Sequence, residues 1–167
     1  LVFLFYKGKK EPKKRMWWGN EKNGIVIDDD NDNDTLTKVD LRQPFTAADS
    51  TKKVVLNISG GGLSFNLKGE TNDLISADIE EKRAKFTLDK EVTDSVTTLT
   101  LKMPSKKNSW NFDNGGDDIN LKLNRAANWN INMKLGAGEA NFDLSNHKVR
   151  TFNFNGGAAS LDLKFGD

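Results

Sequence analysis

Trp129-Asn130-Ile131-Asn132-Met133-Lys134-Leu135 runs into Gly136-Ala137-Gly138 and then into Phe142-Asp143-Leu144. Large apolar residues take every second position on either side of a glycine pair. A period of two belongs to a strand with one dry face and one wet face. Two glycines at the break suit a chain that turns sharply. The pattern then returns as Phe152-Asn153-Phe154, Gly156-Gly157 and Leu161-Asp162-Leu163-Lys164-Phe165. Leu135 and Phe154 stand 19 positions apart, as do Phe142 and Leu161, Asp143 and Asp162, and Leu144 and Leu163.

Older copies lie upstream. Val54-Val55-Leu56-Asn57-Ile58 precedes Gly60-Gly61-Gly62 and Leu63-Ser64-Phe65-Asn66-Leu67. Trp110-Asn111-Phe112 precedes Gly115-Gly116 and Ile119-Asn120-Leu121-Lys122-Leu123, and Leu99-Thr100-Leu101-Lys102-Met103 is a further alternating run, ended by Pro104. A repeat of roughly 20 residues is short for a propeller blade and about right for one coil of a solenoid. The outward set (Asn57, Ser64, Asn66, Asn130, Asn132, Lys134, Asp143, Asp162) is polar. The inward set is Leu, Ile, Phe, Met and Trp, with Trp110 and Trp129 in phase with it. The pattern therefore predicts an all-β, single-stranded parallel β-helix with rungs of about 20 residues, each burying its apolar row on the next. Gly60, Gly61, Gly62, Gly115, Gly116, Gly136, Gly138, Gly156 and Gly157 are assigned to its corners. An antiparallel β-sandwich or barrel built from hairpins is the alternative, because glycine pairs between alternating strands also mark hairpins. Ala77–Phe86 has some helical character but is read as strand–turn–strand. Phe165-Gly166-Asp167 offers the last rung no polar cover, so further rungs are expected after it.

Composition narrows the function. The chain has 167 residues, with Lys+Arg 25 against Asp+Glu 24, so no basic field invites nucleic acid. There is no Cys, which excludes disulfides, thiolate chemistry and Cys-based metal sites. A mean hydropathy of −0.64 is too polar for a helical membrane bundle. The 19 Asn and 14 Gly, against 3 Pro, supply many turns between short strands.

The amino-terminal region is of another kind. Leu1-Val2-Phe3-Leu4-Phe5-Tyr6 is apolar or aromatic, and Lys7, Lys9, Lys10, Lys13, Lys14 and Arg15 follow. Six residues cannot span a bilayer, which needs about 20. The order apolar-then-basic is that of a membrane exit, so residues 1–18 are read as the end of a transmembrane helix and its basic exit, with Trp17 and Trp18 at the interface. The basic cluster then predicts a β domain on the cytoplasmic side of the membrane. Residues 19–50, with Asp28-Asp29-Asp30-Asn31-Asp32-Asn33-Asp34, are read as an acidic, largely flexible linker. Residues 51–167 form the β domain.

The search for chemistry yields no catalytic set, cofactor site or metal site. Asp28, Asp30 and Asp32 imitate the start of a calcium loop, but Asn33 and Val39 stand where it needs Gly and Glu. His147, the one histidine, could be joined to Ser145 or Ser160, yet no nucleophile-elbow signature supports it. A carbohydrate-active β-helix would need converging carboxylates. The candidates are Asp117 with Asp118, and Asp143 stacked on Asp162, with Lys122 and Lys164 close enough to screen them. No phosphate-binding loop is present.

The stretches Leu135-Gly136-Ala137-Gly138-Glu139-Ala140-Asn141-Phe142-Asp143-Leu144 and Phe154-Asn155-Gly156-Gly157-Ala158-Ala159-Ser160-Leu161-Asp162-Leu163, with the apolar–basic start, resemble the LiaF-like toastrack family of bacterial envelope proteins. The resemblance implies a non-enzymatic, membrane-tethered, adhesin-like β-helical domain in the cell-envelope stress response. Such a domain acts by binding a partner, for example a membrane sensor protein. The family has no catalytic residues to carry over. A carbohydrate-binding or carbohydrate-active β-helix is the alternative function. Oligomeric state stays open, although an exposed coil end could pair with a second chain's edge.

Overall fold

In the computed structural model, residues 24–25, 37–81, 86–103 and 117–166 are described. They form ten strands: β1 (Gly24–Ile25), β2 (Thr37–Gln43), β3 (Lys53–Gly60), β4 (Leu63–Glu70), β5 (Ile75–Glu81), β6 (Thr87–Val92), β7 (Val96–Lys102), β8 (Asp117–Leu123), β9 (Asn128–Leu144) and β10 (Lys148–Phe165). A single 3-10 turn covers Ala47–Ser50. All ten strands belong to one mixed sheet, in the order β1-β2-β5-β8-β4-β9-β3-β7-β6, with β10 beside β9.

The long strand β9 explains that order. Its first half pairs in parallel with β3 and its second half in parallel with β4. β3, the glycine corner and β4 therefore make one two-armed coil, and β9 makes the next. β10 runs parallel to β9 along both arms. On the other side of the β3–β4 coil, β7 pairs in parallel with β3, and β8 with β4. The alternating residues line up across the coils, so Leu99, Leu56, Ile131 and Phe152 form one inward row. Ile119, Phe65, Ala140 and Leu161 form another on the second arm. The two arms face each other: the rings of Phe142 on one and Phe152 on the other meet edge to face at 5.9 Å. Val54, Leu56, Phe65, Leu67, Leu99, Leu101, Trp129 and Ile131 are fully buried between them, each worth roughly 1.5–3 kcal/mol. The buried Trp129 indole donates to the Asn124 carbonyl at 2.9 Å, so its one polar atom is satisfied.

Two glycines make the corner possible. Gly62 sits at φ 71° and Gly138 at φ 117°. A β-carbon on Gly138 would lie 2.0 Å from the Leu63 carbonyl oxygen of the neighbouring coil, so only glycine lets the two corners nest.

The all-β class holds, whereas the expected single-stranded parallel β-helix is corrected to a mixed sheet. Four pairings are antiparallel: β1–β2, β2–β5, β5–β8 and β6–β7. The strands also do not stack in chain order, because β3 and β4 lie between β7 and β8 on one side and β9 on the other. The cause is the return path. After β4 the chain reverses through β5 and β6, which run antiparallel to β8 and β7 and cover their outer edges. The β7–β8 coil is thus held between that layer and β3–β4, and β9 takes the free side. The antiparallel sandwich fails too, since five pairings are parallel.

Three further expectations are corrected. The 19-residue spacing does not set the register: Leu163 stands opposite Phe142, and Leu161 opposite Ala140. The shift of two residues keeps every side chain on its face. Residues 37–50 are not a flexible linker, because β2 pairs with β5 over seven residues and Val39 and Asp49 are buried. Gly136, Gly156 and Gly157 lie inside β9 and β10, which run through the corner as continuous strands. Residues 1–18, the acidic run 28–34, Trp110, Gly115 and Gly116 lie outside the described residues. Among the described ones, no helix is long and apolar enough to cross a membrane.

Candidate functional site

Because the central strands alternate buried and more exposed residues, the polar residues between fall into columns on the outside of the arms. On the first arm Thr100, Asn57, Asn132 and Asn153 stand in line across four strands. Asn132 donates to the Asn57 side-chain oxygen at 3.0 Å, and Asn153 to that of Asn132 at 2.9 Å. The next column brings the Thr151 hydroxyl to within 2.9 Å of the Asn130 side-chain oxygen. On the second arm Asn141 donates to Asn66 at 3.3 Å and Ser64 to Glu139 at 3.1 Å. An amide side chain carries both a donor and an acceptor, so identical residues one strand apart extend a ladder with no mismatch. The outcome is two polar faces on which side chains of neighbouring strands bond one another.

The residues considered for chemistry are dispersed. Asp143 does not stack on Asp162, which stands opposite Asn141. Asp143 instead faces Lys164, whose Nζ lies 3.4 Å away, and accepts from the Ser145 backbone N–H at 3.1 Å. Ser145 and then Lys164 hold the Asp143 carboxyl below the usual carboxylate range. A carboxylate so held is a poor proton donor. Asp117 is buried at the start of β8 and Asp118 points outward. Lys122 is 3.4 Å from Asp78 on β5. His147 Nε2 lies 3.2 Å from the Leu123 carbonyl oxygen. A carbonyl only accepts, so Nε2 carries the hydrogen and the ring is engaged with the backbone instead of with Ser145 or Ser160. Ser160 sits on the outer face opposite Glu139. Among the described residues, no group of three or more His, Asp or Glu is placed to hold a metal ion. Two shallow depressions occur at the corners. One, of about 360 Å³, lies along Gly60, Leu135, Gly136 and Gly157. The other, of about 350 Å³, lies among Lys68, Asp143, His147 and Lys164.

One polar cluster was missed. Asp49, 1 % exposed, accepts from the Thr46 N–H and hydroxyl at 2.8 Å and from the Thr97 hydroxyl at 2.8 Å. Lys90 stands 3.4 Å away and also donates to the Pro44 carbonyl at 3.0 Å. Burial alone would raise the Asp49 carboxyl, but the bonds from Thr46 and Thr97, with the Lys90 charge, outweigh it and hold the pKa low. The cluster ties residues 44–50 to β6 and β7. Its signal, Thr46-x-x-Asp49, is a capping box that is legible in the sequence.

The described strands thus stack as glycine-cornered coils whose polar faces carry side-chain ladders. Residues 20–167 match the family described as the N-terminal domain of toast_rack (DUF2154), and the chain belongs to that family. It matches no curated protein. Among solved structures it is similar to a protein from Clostridium sporogenes named a "putative cell adhesion protein", with a TM-score of 0.69 and 23 % identity. That likeness covers 77 % of this chain and 61 % of the other, so the chain spans about three fifths of its neighbour's length.

Proposed function

We propose that the chain is a non-catalytic scaffold domain, tethered to a bacterial membrane, that acts by binding protein partners in the cell-envelope stress response. The observation that carries this reading is the Asn57–Asn132–Asn153 ladder. Its side chains hold one another across coils and present an ordered face, with groups repeating at about 4.8 Å. A face of this kind binds by shape and many weak contacts, and a tether raises the local concentration so that weak contacts suffice. Leu1–Tyr6, the lysine cluster and Trp17-Trp18 would supply the tether, with the β domain on the cytoplasmic side facing a membrane sensor protein. The parallel coils would serve as a short β-solenoid inside the mixed sheet. The cell-adhesion name of the Clostridium sporogenes protein favours a neighbouring reading, a surface adhesin, which would use the same faces from outside the cell.

Co-sedimentation with anionic phospholipid vesicles tests the tether. The full chain is expected to pellet with vesicles at low salt, and residues 19–167 to stay in the supernatant with an unchanged melting temperature. Equal partition of both would overturn the tether. Turnover on a polysaccharide panel that is lost in Asp143→Asn would overturn the non-catalytic reading.

A further inference from the structure

The net charge of +1 conceals an uneven layout. The first arm consists of residues 96–102, 53–60, 128–135 and 148–155, side by side in β7, β3, β9 and β10. These four segments carry Lys53, Lys102, Lys134, Lys148 and Arg150, and no Asp or Glu. The corresponding segments of the second arm, residues 117–123, 63–70, 137–144 and 158–165, carry six acids and three lysines. All five cations of the first arm are exposed. Asp89 on β6 holds Lys102 at 3.3 Å, whereas Lys53, Lys134, Lys148 and Arg150 make no ion pair with any described residue. Asp89 and Glu91 stand on β6 at the far edge, so the cationic area is centred on β3, β9 and β10.

Register fixes where the lysines stand. Lys53 and Lys148 flank Asn128 on neighbouring strands, about 10 Å apart. Lys134 and Lys102 flank Ser59 in the same way at the other end of the arm. The two pairs are about 20 Å apart along the strands. Between them run the uncharged columns that contain Asn130 with Thr151, and Asn57 with Asn132 and Asn153. Each ladder bond uses one of the two N–H groups of an amide, which leaves the second for a carbonyl oxygen of a partner. We propose that this face docks an acidic segment of a protein partner, with carboxylates on the lysine pairs and peptide groups on the amide columns. The proposal rests on the protein-binding reading above and adds the charge of the partner. Cations without a partner need break no ion pair to accept a carboxylate, and an acid-free face of one sign steers an anionic segment toward it. Nucleic acid is disfavoured, because the strand aromatics Trp129, Phe152 and Phe154 lie in the inward rows and leave no stacking platform outside. A bilayer is disfavoured as well. Val92 and Phe165, the exposed large apolar residues among those described, lie on β6 and on the second arm.

Fluorescence anisotropy of labelled poly-L-glutamate, titrated with the full chain, tests this. Binding that weakens as salt rises is expected. Lys53→Gln/Lys134→Gln/Lys148→Gln removes three exposed cations and breaks no ion pair, so the melting temperature should hold while affinity falls about tenfold or more. Lys53→Arg/Lys134→Arg/Lys148→Arg keeps the charge and should bind as the wild type does. Lys9→Gln/Lys10→Gln/Lys13→Gln, an equal loss of charge in the amino-terminal cluster, should weaken binding far less. Equal affinity of the wild type and the first variant would overturn the inference. So would a loss confined to the amino-terminal variant. Tighter binding of polygalacturonate or of single-stranded DNA than of polyglutamate would assign the face to another class of ligand and overturn it too. So would pelleting with anionic vesicles that the first variant abolishes. Failure on polyglutamate alone leaves a scaffold with an uncharged partner, whereas polysaccharide turnover sinks the scaffold reading itself.

Discussion

Replacing Gly138 by alanine attacks the contact that lets successive coils nest. The backbone there lies at φ 117°, where a β-carbon is strained, at a cost of about 1–3 kcal/mol. The new methyl would also stand 2.0 Å from the Leu63 carbonyl oxygen and 2.9 Å from its nitrogen. Both are backbone atoms of an interior strand, so neither can rotate away. The Leu63–Gly138 end of the β4–β9 ladder must open, losing one or two bonds at about 0.5–1.5 kcal/mol each. The total comes to about 1.5–6 kcal/mol, a large part of a typical domain's stability. It corresponds to a fall of about 10 °C in melting temperature for a domain of this size. Urea unfolding followed by circular dichroism and by tryptophan fluorescence, to which Trp129, buried in the same β9 strand, contributes, reads it. Gly61→Ala is the control: its β-carbon meets nothing within 4 Å and its φ is not positive. It should change stability by less than about 1 kcal/mol. If the two variants unfold at the same urea concentration, the nesting argument is wrong.

Three other outcomes follow from the polar contacts. Asp49→Asn removes a carboxylate whose folded pKa lies below its unfolded value. Its contribution is complete above about pH 4 and is lost as pH falls through the folded value. The variant should therefore melt lower at neutral pH, by about 1–3 kcal/mol, with the gap to wild type narrowing below about pH 4. A gap constant with pH in melting curves would refute the cluster's role. Asn132→Ala breaks both bonds of the central ladder and should cost about 1–2 kcal/mol in urea unfolding without altering the β signal in circular dichroism. Lys164→Glu puts an acid opposite Asp143 and should lower the melting temperature slightly, an effect that 1 M salt reduces. A salt-independent loss would contradict the assigned facing.

Much of the architecture was written in the strand alternation. Which residues face inward follows from a period of two, and Leu56, Phe65, Trp129 and Ile131 are buried as that period requires. Register was harder to read. A slip of two residues keeps each side chain on its face, so the apolar rows alone cannot separate Phe142–Leu161 from Phe142–Leu163. The extra residue at the irregularity between Val149 and Thr151 helps to set the outcome. Stacking order was not legible either. Residues 53–70 and 128–144 carry the same signature as residues 96–123, and only the antiparallel return through β5 and β6 decides which coils touch. The charges of residues 19–50 hid the strand at Thr37–Gln43, where Val39 and Leu41 alternate with Lys38, Asp40 and Arg42 along a half-buried strand. The ladders needed the register before they could be seen, because Asn57 and Asn132 are 75 positions apart.

Two cysteine pairs on the outer face separate the observed stacking from the one that the repeat spacing implies. Asn141 and Asp162 are directly opposite on parallel strands. Their α-carbons are thus about 4.8 Å apart, within reach of a disulfide. Asp143 and Asp162 are diagonal, at roughly 8 Å, beyond that reach. Mild oxidation should cross-link Asn141→Cys/Asp162→Cys rapidly and leave Asp143→Cys/Asp162→Cys open. Efficient closure of the second pair, or of neither, would contradict coils lying in parallel at this register.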